Sequence, residues 1–120
     1  MIRIKRIYDP PAPDDGYRVL VDRLWPRGIR KDAAQIDLWC KEVAPSTALR
    51  RWYDHDLAKW DEFRRRYRAE LQRQPAALAL LRDKAARGVL TLLYAAREPE
   101  RNNAAALESI LTAPEQASAS

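Results

Sequence analysis

The sequence predicts an α/β domain, with a small, largely parallel sheet of about three strands flanked by five or so helices and packed in layers. Three observations carry this expectation. Short apolar, β-branched runs stand near the start, at residues 2–8 and 17–24, and another follows a helix stop at 89–96. The stretch between them repeats apolar residues at steps of three and four. The 120 residues have the length of one domain, and a composition 47% apolar and 32% charged can fill a core. A single domain over residues 1–112 is expected, with the small, polar residues 113–120 as a flexible C-terminal tail.

The first strand alternates Ile2 and Ile4 with Arg3 and Lys5, the pattern of a half-exposed edge. Pro10, Pro11 and Pro13 remove donors and Asp14-Asp15-Gly16 favours a turn, so residues 9–16 read as a loop with no helix in it. Tyr17-Arg-Val-Leu-Val-Asp-Arg-Leu24 reads as a more buried strand, ended by Pro26 and Gly28. A short helix begun by Asp32 or Asp37 is expected to run through Glu42. Ser46 is a clearer start, accepting from the N–H of Ala48 or Leu49 and capping a helix that carries Leu49, Trp52 and Tyr53. Asp56 caps the next, in which Leu57, Trp60, Phe63, Tyr67 and Leu71 form one stripe. Pro75 suits the first turn of a fourth helix, with Leu78 and Leu81 inward and Gly88 at a left-handed C-terminal cap. Residues 89–96 are too short for a helix of their own and read as a central strand buried on both faces, broken by Glu98-Pro99. Asn102 or Asn103 caps a last helix with Leu107, Ile110 and Leu111 inward. The chain between the last two strands is long enough for a right-handed parallel crossover.

Composition removes much chemistry. One Cys excludes an intramolecular disulfide, and one Cys with one His cannot complete a zinc tetrahedron. Gly16, Gly28 and Gly88 lie too far apart for a phosphate-cradling loop. Neither a cofactor nor a metal is expected. Residues 2–7 alternate charged and apolar, unlike a signal peptide, and no run approaches the roughly 20 apolar residues of a membrane span. A soluble, cytoplasmic protein with no membrane partner is expected, in keeping with the lone thiol of Cys40. Lysine and arginine total 22 against 17 acids, a net +5, and 17 of the 22 are arginine. Genomic base composition explains that bias as readily as a nucleic-acid partner does.

Ligands of open α/β sheets bind beyond the carboxyl ends of the strands, and two of those ends are polar here. The second strand runs into Asp22-Arg23-Leu24-Trp25-Pro26-Arg27-Gly28, and the central one into Tyr94-Ala95-Ala96-Arg97-Glu98-Pro99. With these strands as parallel neighbours, Arg23, Arg27 and Arg97 converge near a helix N-terminus, where unpaired N–H groups and the dipole favour an anion. Guanidinium groups add bidentate recognition of phosphate or carboxylate. Trp25, Tyr94, Asn102 and Asn103 complete the predicted ligand site. The structural alternative is that Arg23 ties the sheet together through Asp22 or a buried carboxylate.

Asp9, Arg23, the Leu24–Gly28 run, Ala44–Arg50 and Thr91–Ala96 also carry a resemblance, most specifically through Gly-Tyr-Arg-Val-Leu-Val-Asp-Arg-Leu-Trp-Pro-Arg-Gly at Gly16–Gly28. Over residues 2–112 the chain resembles the YeaO-like family of small bacterial proteins, a branch of a domain family of unknown function. The resemblance implies an α/β fold and no established activity. It also exposes a departure, because the family commonly has Asn-His where this chain has Asn102-Asn103. Longer relatives place Cys near the positions of Tyr94 and Asn102, which looks like a thiol and imidazole site. Neither group is present here, and binding, which needs only donors, survives the change better than acid–base catalysis does.

Other reactive groups are few. His55, between Asp54 and Asp56, fits a carboxylate-oriented base, although a turn or capping residue explains it more simply. Cys40 beside Lys41 reads as a buried, inert thiol. Trp52 and Trp60, at helical spacing, read as core, whereas Trp25 sits in a loop beside Arg27, within reach of a ligand. Arg50-Arg51 and Arg64-Arg65-Arg66 with Arg68 offer phosphate contacts. Asp54, Asp56, Asp61, Glu62 and Glu70 stand at spacings that offset them, and no winged helix-turn-helix supports a transcription-related role. The favoured reading is binding of a small anionic ligand, phosphate- or carboxylate-bearing. An enzyme acting on such a ligand through His55 or Tyr94 and Arg97 comes second, and a nucleic-acid-associated protein third.

Overall fold

Four strands, one more than expected, form a single parallel sheet in the computed structural model, which describes residues 1–113. Of the expected tail, only Ala113 falls within the described residues. The spatial order is β1 (Ile2–Arg6), β4 (Leu90–Tyr94), β2 (Tyr17–Leu20) and β3 (Leu38–Trp39). The most continuously apolar run therefore takes the centre. All five residues of β4 are buried, and β1 lies at an edge. Ile4 and Val19 both stand opposite Leu92.

The described residues form five α-helices: α1 (Lys31–Ala34), α2 (Thr47–Tyr53), α3 (Trp60–Leu71), α4 (Pro75–Arg87) and α5 (Asn103–Thr112). Val19, Val21, Leu90, Leu92 and Tyr94 on one sheet face join Tyr53, Phe63, Tyr67, Leu81 and Leu107 in the main core. A fully buried leucine such as Leu92 or Leu107 contributes about 1.5–3 kcal/mol. Tyr67 buries its ring completely and donates its hydroxyl to the Val43 carbonyl. Ser46 caps α2 by accepting from Leu49 N–H at 3.0 Å, and Glu70 of α3 accepts from the Ser46 hydroxyl at 2.6 Å. Asn102 caps α5 through Ala105 N–H at 2.9 Å.

The other face is covered by loops and is half polar. Near the carboxyl ends of the strands, Ile7, Leu20 and Leu93 pack with Trp25 and Trp39. Near the amino ends, the buried Asp15 carboxylate accepts from Arg18, from Lys5 at 3.1 Å and from Ala12 N–H at 3.0 Å. Burial raises the Asp15 carboxyl, but these donors outweigh it and hold the group below its ordinary value. The Thr91 hydroxyl donates to the Asp15 carbonyl at 2.6 Å, so even the central strand's polar residue is satisfied. Gly16 fits the crossing into β2 for two reasons. Its φ is +66°, and a Cβ there would stand 2.3 Å from the Val89 carbonyl oxygen.

Several local expectations are corrected. Residues 13–15 form a 3₁₀ turn inside the predicted loop, because Pro13 starts it and the Asp15 carboxylate folds back onto Ala12 N–H. The expected helix through Glu42 stops at Ala34, where Gln35 turns left-handed at φ 50°. Asp37 starts nothing; its carboxylate accepts from Arg18 N–H at 2.8 Å, and Cys40 N–H donates to Leu20, which draws residues 38–39 onto the sheet as β3. Gly88 ends α4 in an extended conformation, φ 175°, and not as a left-handed cap. Leu57 is 41% exposed and leaves the predicted stripe.

Candidate functional site

Beyond the last paired residues, the exits of β2 and β4 are held together by side chains. Ala95 N–H continues past β4 and donates to one carboxylate oxygen of Asp22 at 2.9 Å. Asn103, the first residue of α5, donates from Nδ2 to the other oxygen at 2.9 Å and to the Val21 carbonyl at 3.1 Å. The indole of Trp39 donates to the Asp22 carbonyl at 2.7 Å. Burial pushes the Asp22 carboxyl above its ordinary value, opposed by the Asn103 and Ala95 donors and the charge of Arg50. Asp22 belongs to none of the ion pairs formed among the described residues.

This corner borders a cavity of about 780 Å³, within the roughly 300–1,000 Å³ typical of small-molecule sites. Arg23, Arg27, Arg50, Arg51 and Arg101 line it together with Asp22 and Asp54, a net +3 with His55 neutral. Arg23 is committed to the fold, donating to the carbonyls of Pro45 at 3.1 Å and Ala44 at 3.3 Å. Arg27, Arg50, Arg51 and Arg101 are exposed and form no ion pair among the described residues. The last turn of α2 carries Arg50 and Arg51, at the end of a helix that favours cations. Asp54 and His55 follow with consecutive positive φ values of 46° and 57°, a conformation their residue types tolerate better than most, and this turn puts both on the cavity wall. Trp25, Tyr53 and Phe63 supply aromatic surface.

The structure brings Arg23, Trp25, Arg27, Asn102 and Asn103 to the cavity and leaves Tyr94 and Arg97 off its wall. Tyr94 points into the main core, as the even positions of β4 do, and Arg97 is exposed on the loop after that strand. Asn102 spends its side chain on capping Ala105 and on the Glu98 carbonyl at 2.8 Å. Trp25 is fixed by a 2.7 Å bond to the Ile29 carbonyl and by edge contact with Trp39. Asp22, Arg101 and the arginines of α2 are among the lining residues that sequence reasoning passed over as site members. The signal for Asp22 was an acid directly after the apolar run Val19-Leu20-Val21; for Arg50, Arg51 and Arg101 no local signal distinguished them from other surface arginines.

On α3 three arginines are matched to acids of the same helix. Arg64 pairs with Asp61 at 2.8 Å, and Arg65 and Arg66 pair with Glu62. Cys40 is buried, and burial together with Glu42 raises its thiol, so it stays protonated. Among the described residues no cluster of His, Cys, Asp and Glu is placed to hold a metal ion, and no helix is long and apolar enough to cross a membrane.

Comparison with known proteins extends the sequence resemblance. The family model described as the inactive DUF488-N3 subclade matches residues 1–119. The uncharacterized protein Rv3073c of Mycobacterium tuberculosis (strain ATCC 25618 / H37Rv) is 50% identical over 110 residues, 92% of each chain. The uncharacterized protein YeaO of Escherichia coli (strain K12) is 45% identical over 106 residues, 88% of this chain and 92% of its own. No solved structure matches. With both the family model and these relatives spanning nearly its whole length, the chain belongs to the inactive DUF488-N3 subclade and to the YeaO-like family of unknown function.

Proposed function

We propose that the protein binds a small anionic ligand, phosphate- or carboxylate-bearing, in the cavity beyond the carboxyl ends of β2 and β4. The observation that carries this reading is the grouping around one cavity of Arg27, Arg50, Arg51 and Arg101, none of which forms an ion pair among the described residues. The exposed Arg64, Arg65 and Arg66 of α3 and Arg87 of α4 are instead matched to acids one turn away. Unpaired guanidinium groups around a concave surface favour an incoming anion electrostatically and offer it bidentate donors. Two observations support binding over turnover. The chain has Asn102-Asn103 where the resemblance implies thiol and imidazole groups, and its family is described as an inactive subclade. The pairing of Arg64, Arg65 and Arg66 with acids of α3 weighs against a nucleic-acid surface.

Thermal-shift titration with inorganic phosphate, citrate and a panel of sugar phosphates tests the reading. A ligand of the folded state at about 100 times its Kd adds about 2.7 kcal/mol of stability. At least one anion is expected to raise Tm, with the rise lost in the Arg27→Ala/Arg51→Ala double variant. No rise with any anion, or a rise that the double variant retains, overturns it.

A further inference from the structure

Among the described residues, the buried carboxylate of Asp15 and the half-buried one of Asp22 are treated differently. Asp15 receives two cations, Lys5 and Arg18. Asp22 receives only neutral donors, Ala95 N–H and the Asn103 amide, although five arginines line the same cavity. Its sequence neighbour Arg23 is turned to the Pro45 and Ala44 carbonyls instead. A carboxylate accepts about four hydrogen bonds, so Asp22 keeps capacity to spare. Asn103 has used its Nδ2 on Val21 and Asp22, while its Oδ1 accepts nothing among the described residues. Two lining residues, Asp22 and Asn103, therefore keep acceptor capacity to spare, in a wall that also carries five arginines. Buried charge is ordinarily matched by opposite charge or by hydrogen bonds, and a ligand that is purely anionic would leave Asp22 beside a second negative group.

We infer that the ligand is dipolar: a protonated amine or ring N–H that meets the acceptors Asp22 and Asn103, joined to the phosphate or carboxylate that meets the arginines. This rests on the anion-binding reading and supplies the other half of the ligand. The aromatic side chains of Trp25, Tyr53 and Phe63 offer apolar surface for whatever links the two groups.

Matched pairs of probes decide the matter by calorimetric titration. Aminoalkyl phosphates of two to five carbons are compared with the parent alkyl phosphates, and guanosine 5′-monophosphate with ribose 5-phosphate, so that amine and ring N–H sources are separated. In the native protein one nitrogen-bearing probe is expected to bind at least about tenfold tighter than its partner, a gap of about 1.4 kcal/mol, and Asp22→Asn is expected to remove most of it. The side-chain carboxyl ¹³C shift of Asp22, read in the native protein, gives a second measure should Asp22→Asn fail to fold. It is expected to move with the nitrogen-bearing probe and not with its partner. Equal binding within every pair overturns the dipolar ligand and leaves the anion site standing. A nitrogen preference that survives Asp22→Asn, or a static carboxyl shift, overturns the role of Asp22. Failure of every probe to bind removes the anion reading as well.

Discussion

Asn103 donates from one amide nitrogen to both the Asp22 carboxylate, at 2.9 Å, and the Val21 carbonyl, at 3.1 Å. That side chain ties the start of α5 to the end of β2, and it helps set the environment of Asp22, a half-buried carboxylate that forms no ion pair among the described residues.

Replacing Asn103 with Ala is expected to raise the Asp22 carboxyl further, because the amide donor is the strongest influence opposing burial. A carboxyl already above its ordinary value of 3.8 stabilises the fold below that pH, and the contribution is lost as pH rises through the folded-state value. Asn103→Ala therefore widens the loss upward in pH. Carboxyl titration by NMR and urea melts across the acidic range check both statements; an unchanged Asp22 midpoint contradicts them.

Asp15 has the opposite sign. Its carboxyl is held below 3.8, so its contribution is present above that pH and disappears as pH falls through the lower folded-state value. Asp15→Asn leaves Arg18 buried without a counter-charge and is expected to cost about 3–5 kcal/mol at neutral pH. The difference between variant and native protein in urea should shrink in acid; a constant difference sinks the assignment.

The three glycines should respond in order. Gly16→Ala meets both a positive φ and a backbone oxygen at 2.3 Å and is expected to cost more than about 2 kcal/mol. At Gly28, φ is +79° with open space around it, so the cost is conformational alone, about 1 kcal/mol. Gly88→Ala, extended and unobstructed, is expected to be neutral or to stabilise by about 0.4–1 kcal/mol. Thermal melts of the single variants give the ranking, and a Gly88 variant as damaging as the Gly16 one contradicts it.

Arginines of the cavity should divide by role. Arg23→Ala removes two bonds to buried carbonyls and is expected to lower stability by about 1–3 kcal/mol. Arg27→Ala and Arg51→Ala touch no internal partner through their side chains and should stay within about 0.5 kcal/mol of the native protein, while anion affinity falls. Paired melts and titrations separate the two classes, and a strong destabilisation by Arg51→Ala would tell against a role in binding.

Local chemistry made much of the fold readable. The apolar run through Leu90–Tyr94, broken only by Thr91, marked the central strand, Ser46 and Asn102 marked helix starts, and steps of three and four marked Phe63, Tyr67 and Leu71 as core. The two-residue strand Leu38–Trp39 was not readable, because its pairing depends on the Arg18 and Leu20 backbone, far away in the chain. The same held for Asp15, whose role exists only once Lys5 and Arg18 lie beside it.

For the site, the sequence by itself determined that two strands run out into polar segments and that reactive groups are scarce, since both follow from residue type and order. Only the tertiary structure decided which arginines share the cavity. Whether Arg97 or Arg51 faces it depends on how α2 and the loop after β4 pack. Those helix and loop positions are set by contacts between residues distant in sequence, and neither periodicity nor spacing encodes such contacts.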